Sequence, residues 1–96
     1  MTLEELLRQK RCEILQIASK HGARQVWVFG SVARGETDAA SDIDFLVELE
    51  PGRSLLDLGG MQFDLEALLG CQVDVVTVRG LKARIREQVL REAVPV

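Results

Sequence analysis

Asp42 and Asp44 stand at alternate positions, ten residues after a glycine–serine pair, in the segment GSVARGETDAASDID that begins at Gly30. Side chains at i and i+2 of a strand point the same way, with Cα atoms about 7 Å apart. Two such carboxylates repel each other unless something cationic sits between them. They suit a pair of divalent ions ~3.5–4 Å apart, the spacing of in-line phosphoryl chemistry. Ligands that are all oxygen, with open water positions, favour magnesium or manganese over zinc. Gly30 and Ser31 supply the complement. Glycine lets backbone approach a ligand closely, and free amides at a helix start favour phosphate. The Ser31 hydroxyl adds a donor, and Arg34 follows one helical turn on, either within reach of a phosphate or as a surface arginine. With each residue type at about 6%, this pattern arises by chance in roughly one chain in a thousand of this length.

Both halves can serve one ligand only if the strand ending at Gly30 lies beside the start of the strand opened by Asp42. Gln25–Phe29 (QVWVF) is a short apolar run stopped by glycine, as a buried strand would be. Asp42–Leu49 (DIDFLVEL) alternates, with Ile43, Phe45, Val47 and Leu49 on one face and Asp42, Asp44, Leu46 and Glu48 on the other. The connection between the two is too short for an ordinary crossover, so they are expected to be antiparallel. Val73–Val78 (VDVVTV) is a third strand by its β-branched content. The long Pro51–Gly70 connection allows a right-handed crossover that makes strands two and three parallel. Asp74 then joins the same carboxylate cluster.

The flanking segments read as helices. Thr2 with Glu5 is a capping box, and Leu3, Leu6, Leu7, Ile14, Ile17 and Ala18 share one face of a first helix that Gly22 ends. Ser54 with Asp57 opens another, which Gly59-Gly60 is expected to weaken or kink and Gly70 to close. Leu81, Ile85, Val89 and Ala93 recur every fourth residue in a last helix that Pro95 stops. With a short helix after Gly30, the expected order is α-β-α-β-α-β-α. It forms a single α/β (α+β) domain over residues 1–96, with a small mixed sheet packed against helices.

Composition excludes several classes. The formal net charge is −3, which argues against tight, charge-driven binding to nucleic acid. Aromatic residues are 4% with no tyrosine, too few for a base-stacking platform. No apolar run approaches the roughly 20 residues that span a bilayer. The charged N-terminus is unlike a signal peptide, and Cys12 and Cys71 match no zinc or disulfide spacing, so a cytoplasmic protein is expected. His21 reads as a surface residue, Trp27 as core and the cysteines as small buried or half-buried hydrophobes. Arg79, Lys82, Arg84, Arg86 and Arg91 read as a solvated helix face, with a nucleotide- or RNA-facing patch as the alternative. The leucines of 55–69, with Met61 and Phe63, exceed what one helix face needs, so either the helix is broken or some of them face a partner.

Gly30-Ser31, ten residues, then Asp42-Ile43-Asp44 resembles the signature of the DNA polymerase beta nucleotidyltransferase superfamily. The length, ARGE after the glycine–serine pair, SLLDL and LGCQVDVV resemble its minimal members, the MNT-type proteins paired with HEPN-domain toxins. The resemblance implies a palm-like fold and magnesium-dependent transfer of a nucleoside monophosphate from a triphosphate. It further implies that Asp42 and Asp44 hold two metal ions, that Asp74 serves the ion activating the acceptor hydroxyl, and that Gly30 and Ser31 hold the outer phosphates. The expected reaction is AMP transfer from ATP to a tyrosine of a HEPN ribonuclease toxin, which makes this chain the antitoxin. The alternative is a non-catalytic antitoxin that occludes its HEPN partner. A palm alone has no second wall, so base and acceptor contacts must come from the partner or from a second copy of the chain.

Overall fold

The computed structural model describes residues 3–30 and 43–96. Its elements run α1 (Leu3–Gln9), α2 (Arg11–Lys20), β1 (Ala23–Phe29), β2 (Ile43–Leu49), α3 (Leu55–Leu69), β3 (Val73–Thr77), α4 (Ala83–Glu92) and β4 (Val94–Pro95). The strands form one mixed sheet in the order β3-β2-β1-β4. β1 pairs antiparallel with β2, and β2 pairs parallel with β3, as the connection lengths predict, while β4 adds antiparallel to β1. The short helix expected after Gly30 falls outside the described residues, as does Thr2 of the first capping box.

Alternation along β2 decides where the core lies. Ile43, Phe45 and Val47 are wholly buried and pack with Val26 and Val28 of β1 against Ile14, Ala18, Met61 and Leu65 from α2 and α3. Each large apolar side chain buried this way contributes about 1.5–3 kcal/mol. The opposite face carries Asp44, Leu46 and Glu48. Leu46 is also wholly buried, and its strand neighbours there are Trp27 and Val76.

Four sequence expectations change. The first helix is two, because Lys10 adopts φ −98 and ψ 10, outside the helical well, with no glycine or proline to mark the break. Just past it, Arg11 Nε donates to the carbonyl of Val96, so α2 starts where it can hold the C-terminus. Gly59-Gly60 does not kink α3, which runs unbroken over 15 residues. The His21 imidazole lies where a Gly60 β-carbon would stand, so this glycine makes room for a packed side chain. Trp27 is half-buried on the sheet face away from the helical core, not within it, because β1 alternates. Finally, β4 pairs with Trp27 and Val28 at the sheet edge, the one place where a strand tolerates Pro95.

His21 and Cys12 are corrected as well. Cys12 is exposed on α2, while Cys71 is half-buried as expected. His21 is half-buried, and its Nε2 lies 2.8 Å from Asp64 Oδ2, with Lys20 Nζ at 3.5 Å from the same oxygen. This pair ties the end of α2 to the middle of α3. The hydrogen bond with His21 lowers the Asp64 pKa, outweighing the opposing effect of burial, and Lys20 adds to the lowering. A depressed carboxylate pKa stabilises the fold above the ordinary aspartate value of about 3.9, and that stability is lost as pH falls through the lowered folded value. Urea midpoints measured between pH 7 and pH 3 should therefore fall less steeply in Asp64→Asn than in the parent chain. Equal slopes would show that the link carries no stability.

The capping box at Ser54 is present in both directions. Ser54 Oγ accepts from the Leu56 amide at 3.2 Å, and the Ser54 amide donates to Asp57 Oδ2 at 3.0 Å. Ser54→Ala should cost about 1 kcal/mol, read as a lower denaturation midpoint at unchanged slope.

Candidate active site

β1 ends at Phe29, and Gly30 turns the chain with φ +76, in the left-handed region that glycine enters at no steric cost. β2 and β3 each carry an aspartate at their second residue, Asp44 and Asp74. Antiparallel pairing sets Phe29 opposite Asp44, and parallel pairing sets Asp44 opposite Asp74. Paired residues on neighbouring strands share a face, so the two carboxylates stand one strand spacing apart, about 4.8 Å at the backbone. Three strands thus bring Gly30, Asp44 and Asp74 into one row on the face away from the helices.

Gly30 and Asp44 are in closer contact than pairing alone requires. A β-carbon on Gly30 would stand 2.5 Å from Asp44 Oδ2. The carboxylate therefore occupies space that only glycine leaves open. Asp44 is half-buried and Asp74 exposed. Among the described residues Asp74 has no ion pair, so nothing supports reading it as the partner of an arginine. Ser31, Arg34 and Asp42 lie outside the described residues.

Two adjacent carboxylates on an open sheet face suit a hard divalent cation, and an oxygen-only donor set fits magnesium better than zinc. No group of three metal-ligating side chains occurs among the described residues, but Asp42, the third expected ligand here, is not one of them. Phe29 and Trp27 share the site face through their pairing with Asp44 and Leu46. The sequence reading assigned Trp27 to the core and gave Phe29 no role. Their signal was Gln25, the polar residue whose alternation with Val26 and Val28 assigns positions 25, 27 and 29 to the face away from the core.

The basic residues Arg79, Lys82, Arg84, Arg86 and Arg91 are all exposed, in keeping with a solvated surface. Within 55–69 the surplus is real, since Leu55, Leu56 and Phe63 are exposed on an unbroken helix. No helix among the described residues is long and apolar enough to cross a membrane.

The site is thus a mixed sheet whose parallel strands each carry an aspartate at the second residue, beside a left-handed glycine turn. Residues 11–96 match the nucleotidyltransferase domain family. The protein adenylyltransferase MntA of Thermococcus cleftensis is 42% identical over 94 residues, covering 98% of this chain and 95% of the relative. A solved structure assigned as a minimal nucleotidyltransferase superimposes with TM-score 0.88 at 54% identity, covering 100% of this chain and 97% of that one. A toxin–antitoxin structure with AMP-PNP superimposes with TM-score 0.76 at 21% identity, over 88% of this chain and 69% of that one, and so shares the fold. The chain belongs to the nucleotidyltransferase family, and its class of activity is enzymatic.

Proposed function

We propose that this chain transfers AMP from ATP to a tyrosine hydroxyl of a HEPN-domain ribonuclease toxin and thereby acts as its antitoxin in the cytoplasm. The observation that carries the reading is the register Phe29–Asp44–Asp74, which sets two carboxylates on neighbouring strands beside the Gly30 turn. The adenylyltransferase name of a 42% identical relative supports the transferred group, and AMP-PNP in a toxin–antitoxin relative supports both nucleotide and partner.

In this reading Asp42, Asp44 and Asp74 hold two magnesium ions, or manganese in their place. Bound there, such ions neutralise charge on the attacking and leaving oxygens of an in-line displacement. The Gly30 turn and the Ser31 hydroxyl receive the outer phosphates, with Arg34 reaching the same region. Asp44 is half-buried against Gly30 and Asp74 is exposed, and in this reading Asp74 serves the ion that activates the acceptor hydroxyl. The tyrosine oxygen bonds to the α-phosphorus and gives up its proton, and pyrophosphate departs with the electron pair of the broken P–O bond.

The competing reading, neutralisation by occlusion without transfer, is favoured by the exposed Leu55, Leu56 and Phe63 of α3. Incubating the purified chain with magnesium, each of the four α-labelled nucleoside triphosphates and the neighbouring gene's product separates them. Label fixed covalently to the partner from ATP alone is the expected result. Absence of label with every nucleotide, while the partner is still neutralised, establishes occlusion instead.

A further inference from the structure

At the end of the sheet opposite the carboxylates lies a cavity of about 570 Å³, within the ~300–1,000 Å³ range of ligand-binding clefts. Leu49 at its wall is five steps along β2 from Asp44, about 16 Å at the usual strand rise. Apolar side chains from three elements line it, Val47 and Leu49 from β2, Leu55 and Leu58 from α3, and Val78 just after β3. Three arginines, Arg24, Arg53 and Arg79, surround this apolar lining.

The three arginines do not play the same part. Arg53 is committed to the fold. Its side chain lies where a Gly22 β-carbon would stand, and its guanidinium meets Glu50 at 3.7 Å and Asp57 at 3.5 Å. Arg24 is the extra residue of a β-bulge, since Ala23 pairs with Leu49 and Gln25 with Glu48. Bulges re-aim side chains, and this one brings Arg24 to the cavity. Arg79 stands in the turn after β3 and is exposed. Neither Arg24 nor Arg79 has an ion pair among the described residues. With Glu50 taken by Arg53, these two cations share the cavity with one further carboxylate, Glu48. Three arginines against two glutamates leave the lining with one excess positive charge, on a chain whose net charge is −3.

The apolar surface does not stop at the cavity mouth. Leu55 is 82% exposed and Leu56 87%, and Phe63 farther along α3 is 74% exposed. A small molecule filling the cavity would leave those side chains in water, whereas a polypeptide would cover them. We propose that this cavity docks a segment of a protein partner that presents bulky apolar side chains flanked by carboxylates. The apolar anchors enter between β2 and α3, and the carboxylates pair with Arg24 and Arg79 at the rim. The site is spatially separate from the transfer chemistry, and the inference does not depend on it.

Titrating the isotope-labelled full chain with the peptide Glu-Glu-Leu-Phe-Glu-Glu, followed by amide shifts in NMR, tests this. Saturable shifts at Arg24, Leu55 and Arg79 are expected, with a Kd below about 1 mM. Arg24→Glu with Arg79→Glu, both on exposed positions, should weaken binding about tenfold, with Arg79→Glu alone as the milder variant. Lys-Lys-Leu-Phe-Lys-Lys and Glu-Glu-Ser-Ser-Glu-Glu should fail to bind, and Asp44→Asn should leave the affinity unchanged. The proposal is overturned by an absence of saturable shifts, by equal binding of the lysine peptide, or by shifts centred on Gly30 and Asp74. Unchanged affinity in the folded double charge reversal overturns it too.

Discussion

Asp44→Asn should lower AMP transfer by at least about 10³-fold while leaving the folded structure intact. Asparagine matches aspartate in size but carries no charge, so the lost quantity is electrostatic. Charge stabilisation by metal ions at a phosphoryl centre is worth several kcal/mol, and about 4 kcal/mol corresponds to three decades in rate. Asp44 stands between Phe29 and Asp74 in the sheet, so no neighbouring side chain takes its place in the row. The measurement is a single-turnover transfer rate with labelled ATP, beside a circular dichroism spectrum and melting curve of the same variant. Transfer within tenfold of the parent rate, in a folded variant, would remove Asp44 from the catalytic machinery and leave the transfer chemistry to other residues.

Gly30→Ala should lose both stability and rate, for two separable reasons. Gly30 holds φ +76, where an L-residue costs roughly 1–2 kcal/mol. Its added β-carbon would also stand 2.5 Å from Asp44 Oδ2, so the carboxylate must give way. Displacement by about 1 Å in an active site can cost on the order of 10²-fold in rate. Gly52 provides the control, with φ +89 but nothing within 4 Å of its β-carbon position. Gly30→Ala and Gly52→Ala should lower Tm by similar amounts, about 5–15 °C for a domain of this size. Only Gly30→Ala should slow transfer. If both variants transfer at the parent rate, the contact between Gly30 and Asp44 has no part in positioning the carboxylate.

Much of the site was legible because it depends on local rules. The alternation of DIDFLVEL assigns Asp44 to the face opposite Ile43, Phe45 and Val47, and β2 obeys it at these positions, although Leu46 on the far face is buried too. Connection length sets strand direction, so the short link after Gly30 and the long one through α3 predict the antiparallel and parallel pairings observed. Ser54 and Asp57 cap α3 through bonds that span only three residues.

What went unread depends on contacts between residues far apart in the chain. Gly59-Gly60 looks like a helix breaker by propensity, yet α3 continues because packing outweighs about 1 kcal/mol per glycine. The His21 ring that fills the space beside Gly60 comes from the end of α2, and its bond to Asp64 spans 43 positions. β4 forms because Val96 donates to Val26 and its carbonyl accepts from Arg11, and no local pattern at the C-terminus announces either bond. The bulge that brings Arg24 to the cavity exists only where β1 meets β2. Residue type and spacing by themselves determined on which face of which strand Asp44 and Asp74 stand, because period and connection length are properties of the chain. Tertiary structure alone decided that Gly30 yields its β-carbon space to Asp44, and that arginines from β1, the start of α3 and the turn after β3 gather around one cavity. Those arrangements are set by the packing of surfaces that meet only once the sheet has formed.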